Sequence, residues 1–163
     1  MRVVEGPDWF RITSWGDGVT LVQEPAVNPL LSANIWHVRG RDRDLVVDSG
    51  LGVASLRAAL PWMFENDPVL VLTHAHLDHI LATREVKEAF GGDICLHPDD
   101  LFLYDGIQMQ ASWFGMKVQP TLPLDRQLGH GDTIEFGRRH ALTIHTPGHT
   151  PGSVCFEVVD AGD

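Results

Sequence analysis

The stretch THAHLDH, residues 73–79, sets three histidines and an aspartate directly after the apolar run Val69 to Leu72. In an extended chain residues i and i+2 project to the same side, so His74 and His76 can face one point if the strand geometry continues past Thr73. Asp78 and His79 follow as the chain turns, where they face a second point close by. Imidazole nitrogen and carboxylate oxygen hold borderline divalent ions at about 2.0–2.2 Å, and a tetrahedral ion needs a further donor from elsewhere in the chain. His149, in TPGHTPGS, is the best candidate for that donor. It lies in a loop between two predicted strands, flanked by Gly148 and Gly152, whose lack of side-chain bulk lets an ion or substrate approach the backbone.

These residues need elements to position them. WFRITSW and VTLVQEP, separated by Gly16, Asp17 and Gly18, predict a hairpin. Residues 33–39 and 45–48 predict two more strands. Val53, Leu56 and Leu60 then recur at helical spacing before Pro61. Val69 to Thr73 predicts a buried strand, residues 80–90 a helix closed by Gly91 and Gly92, and residues 94–96 a short strand. Short helices are expected over 98–105 and 107–116, and the proline-bearing KVQPTLPLDR reads as a loop. From Thr133 the chain returns to strands: TIEFG, HALTIHT and SVCFEVV. The alternation predicts a layered α/β domain with mixed sheets.

At 163 residues the chain fits one domain, and 44% apolar with 21% charged residues is the composition of a globular protein. A formal charge of −10 repels nucleic acid and anionic membranes, and the arginines of RGRDR alternate with glycine and aspartate, forming no phosphate track. No apolar stretch approaches membrane length and MRVVEGPDW lacks a signal segment, so a cytoplasmic protein is expected. Cys95 and Cys155 sit in apolar surroundings and read as small buried hydrophobes in a reducing compartment. His145 reads as a packing residue or one that supports the site. His37, His97, His130 and His140 read as structural or surface residues, and Trp113 and Phe114 as core residues.

THAHLDH together with TPGHTPGS resembles the metal-binding signature of the metallo-beta-lactamase fold hydrolases, and VVDSG at 46–50 resembles the aspartate-bearing strand end that precedes it there. LHPDDLFLYD and ASWFG are similar to the glyoxalase II-like (hydroxyacylglutathione hydrolase-like) branch. Ile80-Leu81-Ala82 departs from the small glycines many members carry after the motif, a difference of packing at the helix start. The resemblance implies an αββα sandwich with mixed sheets. It implies His74, His76 and His149 on a first ion, Asp78 and His79 at a second, and Asp48 as the residue that orients the metal loop. Zn2+ is the implied cofactor, as one or two ions, with iron or manganese as substitutes.

The resemblance would complete the second ion's ligands with a bridging aspartate after one further strand and with a late histidine. VVDAGD offers only Asp163, too close to Val159 for such a strand, so the chain reads as a C-terminally truncated hydrolase with an incomplete second half and exposed sheet edges. The implied chemistry is attack of an ion-activated hydroxide on a thioester or related ester carbonyl, with Asp78 orienting the nucleophile or taking its proton. Lactone hydrolysis, iron-dependent persulfide dioxygenation and metal binding without turnover are the competing functions. Ser49 and Ser153 lack the G-x-S-x-G setting of a serine nucleophile.

Overall fold

The computed structural model describes residues 9–160; Asp163 and most of the N-terminal segment read above lie outside them. Strands Arg11–Gly16 (β1) and Val19–Gln23 (β2) form the predicted hairpin. Gly16, Asp17 and Gly18 all take positive φ at its turn, a conformation glycine adopts without steric cost. Asn34–Val38 (β3) and Leu45–Val47 (β4) continue the antiparallel order. Val69–Val71 (β5), Ile94–Leu96 (β6) and Arg126–Gln127 (β7) then add in parallel, giving one seven-stranded mixed sheet in sequence order. A second sheet of three antiparallel strands has Arg139–His145 (β9) between Thr133–Phe136 (β8) and Val154–Asp160 (β10).

The described residues form five α-helices, Leu56–Ala59 (α1), Leu77–Ile80 (α2), Thr83–Phe90 (α3), Leu101–Asp105 (α4) and Ile107–Trp113 (α5). The single helix expected over 80–90 is instead α2 and α3, broken at Ala82 (φ −86°, ψ 0°). The break lies where Gly52 packs closely against the backbone of Leu81 and Ala82. The helical pattern over 53–60 is realised only as α1, because Pro61 starts a separate 3-10 turn over Pro61–Phe64.

The period-two pleat divides the central strands between two cores. Val46, Leu70, Leu72, Ile94 and Leu96 join the core that packs against the helices. Leu45, Val47, Val69, Val71 and Cys95 face the smaller sheet, meeting Ile134, Phe136 and Ala141. Burial on both faces explains why VLVL reads as an unbroken apolar run and not as an alternating one. All five helices contribute to the first core, so the described residues make three layers, helices on sheet on sheet. On the outer face of the smaller sheet Thr133, Glu135 and Glu157 are exposed, and Leu142 and Ile144 are half-buried. Among the described residues no helix is long and apolar enough to cross a membrane.

Two expectations are corrected. Cys95 is buried, which pushes its thiol up to about 11, but Cys155 is exposed because it points away from the face of β10 that carries Val154 and Phe156. Trp113 and Phe114 are not core residues: α5 turns Ile107, Gln110 and Ala111 inward, and the aromatic pair lies beyond the last of these, 71% and 50% exposed.

Phe136 is fully buried where the two sheets meet. Phe136→Ala is expected to lower stability by about 3–5 kcal/mol, measured as a shift in the urea midpoint at unchanged slope. A loss under about 1 kcal/mol would mean the two sheets do not share this core.

Candidate metal centre

β4, β5 and β6 run parallel, so the residues that follow them emerge on one edge of the sheet, the edge where open α/β sheets gather ligands. Asp48, just past β4, sits at φ 62°, a left-handed conformation that few non-glycine residues adopt. Its carboxylate accepts from Thr73 N (2.8 Å) and Thr73 Oγ1 (2.7 Å) and pairs with His79 Nδ1 (2.8 Å). The next residue, Ser49, donates from its backbone N–H to His79 O (2.8 Å). The strand-end aspartate therefore holds both ends of the 73–79 loop.

Because the Thr73 hydroxyl gives its proton to Asp48, Thr73 Oγ1 is free to accept from His74 Nδ1–H at 3.1 Å. His74 Nε2 then carries the lone pair. That atom is buried and finds no hydrogen-bond partner among the described residues. The chain stays extended through His76 (φ −74°, ψ 151°) before α2 begins, which is what the i, i+2 argument required.

Two buried side chains absent from the sequence argument complete the scaffold. Asp100, with no exposed surface, accepts from Ala75 N (2.9 Å), Thr150 Oγ1 (2.7 Å) and Gly152 N (2.7 Å). It thereby ties the 73–79 loop to the loop between β9 and β10. A Cβ on Gly152 would lie 2.7 Å from Asp100 N and Cγ, so this glycine is required by the carboxylate's approach and not by access to an ion. Gln110, on α5, donates to Ala75 O (2.9 Å) and accepts from Leu77 N (3.1 Å). Neither residue belongs to a spacing pattern; the only signal was an unexplained Asp99-Asp100 pair in LHPDD.

The histidine rings converge. Ring centroids are 4.8 Å apart for His74–His76, 4.8 Å for His74–His149 and 4.6 Å for His76–His149. One ring nitrogen from each lies within 4.8 Å of the other two. His76 Nδ1 and His149 Nε2 face each other at 3.0 Å. Donors about 2.1 Å from one tetrahedral ion sit about 3.4 Å apart, so these rings need only small adjustments to share one. The bare His74 Nε2 is the observation that fits an ion: without one, a buried acceptor goes unsatisfied.

Asp78 and His79 stand beside this group and outside it. His79 presents Nε2 to Asp78 Oδ2 at 3.4 Å, and its ring lies 3.9 Å from that of His74. With Nδ1 tied to Asp48, His79 has the carboxylate-backed arrangement typical of a ligating imidazole.

Burial chiefly, and repulsion from His79, His76 and His149, holds the His74 imidazole down at about 3. His76 is lowered by burial and by His149, against the pull of Asp78. For His79 burial acts downward, but the hydrogen bond and charge of Asp48 and the charge of Asp78 outweigh it and raise the ring above its usual value. His74 and His76 are thus neutral near pH 7, the state in which imidazole binds metal.

Among the other histidines, His37 is buried and pairs with Asp44 (2.8 Å), a structural role. His145 stacks on His97 and its Nε2–H donates to Pro151 O (2.8 Å). His130 accepts from His145 N.

A match to the Metallo-beta-lactamase superfamily spans residues 28–163. The chain belongs to the metallo-beta-lactamase superfamily. Acyl-coenzyme A thioesterase MBLAC2 of Bos taurus is 31% identical over 181 residues, covering 94% of this chain and 63% of that protein. Hydroxyacylglutathione hydrolase GloC of Haemophilus influenzae is 33% identical over 114 residues, covering 68% of this chain and 53% of that protein. The chain therefore spans less than two thirds of the length of either superfamily relative. The crystal structure of TTHA1623 in a di-iron-bound form is similar at 32% identity and TM-score 0.65, over 80% of this chain and 64% of that one. BJP-1, a subclass B3 metallo-beta-lactamase of Bradyrhizobium japonicum, shares the superfamily fold at 20% identity and TM-score 0.73, over 94% of this chain and 58% of that one.

The His74 environment makes the metal-free protein pH-sensitive. Its folded value of about 3 lies below the ordinary 6.5, so between these the unfolded chain binds a proton that the folded chain does not. Stability must therefore fall as pH falls below about 6.5, with His79 acting in the opposite sense. Thermal midpoints of chelator-treated protein between pH 7.5 and 5 should drop more steeply in the wild type than in His74→Asn. Equal slopes would contradict the buried, neutral His74.

Proposed function

We propose that the chain is a single-domain metal-dependent hydrolase that attacks a thioester or related ester carbonyl. His74, His76 and His149 would hold the first divalent ion, zinc by preference, and Asp78 and His79 would take part in holding a second. The observation that carries this reading is the convergence of three imidazoles around a buried nitrogen with no other partner. When bound, such an ion acts as a Lewis acid and lowers the pKa of its water from 15.7 to about 7.

The chain's own residues would supply placement and proton handling. Asp100 and Gln110 fix the backbone of residues 75–77, so the His76 ring is held by structure formed before any ligand arrives. Asp78, whose side chain keeps 15% of its surface, is open enough to accept a proton from the attacking water at a carboxylate oxygen. His79, oriented by Asp48, limits where that carboxylate can point.

Thioesters are favoured for two reasons. Acyl-coenzyme A and hydroxyacylglutathione, the substrates in the names of the two relatives, share a thioester carbonyl. A thiolate also leaves without a strong general acid. A serine nucleophile is disfavoured: Ser49 Oγ donates to His79 O (2.9 Å), and Ser153 Oγ is occupied by Thr150. Iron is the second candidate ion, since TTHA1623 has been crystallised with two irons. An iron-loaded, oxygen-consuming preparation acting on a persulfide would favour that alternative, and a colourless zinc protein would not.

The test combines metal analysis with a panel of thioesters and lactones. His149→Ala, with an unchanged far-UV CD spectrum, is expected to lose the bound ion and at least about 100-fold in thioester turnover, since one ligand of three is removed. Turnover that survives both His149→Ala and chelation would refute the proposal.

A further inference from the structure

A second group of metal-type donors lies beyond the three-histidine site. His97 follows β6 directly, and its buried side chain retains 8% of its surface. His145 ends β9, and the two rings stack at a centroid distance of 4.0 Å with 14° between their planes. Asp99 extends its carboxylate to 3.8 Å from His97 Nδ1. One ligand atom from each of His97, Asp99 and His145 lies within 4.8 Å of the other two.

We propose that His97, Asp99 and His145 form a second, independent binding site for a borderline divalent transition ion of the zinc, nickel or copper(II) type. The hydrogen bonds fix where each ring's lone pair lies. His145 donates from Nε2–H to Pro151 O, so its lone pair is on Nδ1. An imidazole whose other nitrogen is anchored to a backbone carbonyl is the usual arrangement of a metal-ligating histidine. His97 Nδ1 accepts from Asp99 N (3.2 Å), so its lone pair lies on Nδ1, on the side of the ring where the Asp99 carboxylate lies, and an ion bound there would take the place of that N–H. Burial, and the neighbouring His145, keep His97 below its ordinary value and so neutral at pH 7.

Two nitrogens and one oxygen suit zinc, nickel and copper and do not suit magnesium or calcium, which prefer oxygen donors. Asp99 keeps 56% of its side-chain surface, which gives the ion a route from solvent. Binding both nitrogens to one ion turns one ring out of the parallel stack. Occupancy would cross-link the turn that carries Asp100 to the strand that leads into the His149 loop, two segments joined otherwise by the Asp100 hydrogen bonds.

The test removes the first histidine group from the full chain. His74→Ala/His76→Ala/His149→Ala protein, shown to be folded by far-UV CD, is titrated with Zn2+ against a chromophoric chelator at pH 7. The expected result is one retained Zn2+ whose affinity falls about tenfold or more when Asp99→Ala or His97→Gln is added. If the triple variant does not fold, native mass spectrometry of the otherwise unaltered chain should show one Zn2+ fewer after Asp99→Ala. A folded triple variant that binds no Zn2+, or binding unaffected by both additional changes, overturns the proposal. Failure of the first site would appear differently, as an ion count that His149→Ala leaves unchanged.

Discussion

The arrangement of the site depends on one buried carboxylate. Asp100 accepts hydrogen bonds from Ala75 in one loop and from Thr150 and Gly152 in another, and these loops belong to different sheets. A buried polar group is costly unless it is hydrogen-bonded, and a set of partners this complete fixes the geometry of everything attached to it. His76 comes one residue after Ala75, and His149 one residue before Thr150. Their 3.0 Å approach, close enough for one ring's N–H to donate to the other's lone pair, is therefore set up by contacts behind them.

Asp48 performs the complementary task on the other side. Its left-handed backbone turns the carboxylate onto Thr73 and His79, and that choice propagates through the Thr73 hydroxyl to the tautomer of His74. The proton order Asp48, Thr73, His74 leaves the lone pair on the buried Nε2. The protein thus pre-forms a buried acceptor with no partner among the described residues, an orientation suited to holding an ion. The carboxylates of Asp48 and Asp100 lie behind the histidine loop, and that of Asp78 stands beside it, partly open to solvent.

Much of this was legible in the sequence because strand periodicity is simple. The hairpin at 16–18, the buried strand before Thr73 and the i, i+2 pair His74 and His76 all follow from a period of two, and the structure has them as expected. Asp48 could be singled out because the resemblance supplied a reason for it. Asp100 and Gln110 could not, since a buried polar residue shows only through partners distant in sequence: Thr150 is 50 residues from Asp100, and Leu77 is 33 from Gln110. The helix break at Ala82 was hidden for the same reason, as Gly52 comes from another segment. Trp113 and Cys155 were misplaced because apolar type alone does not tell which side of an element faces a core.

The central claim is that the rings at 74, 76 and 149 share one ion. X-ray absorption at the metal edge of the ion-loaded protein tests it directly. The account predicts a first shell with three imidazole nitrogens at about 2.0–2.1 Å, falling by one nitrogen in His149→Ala. A shell composed of oxygen donors, or one that His149→Ala leaves intact, would contradict it.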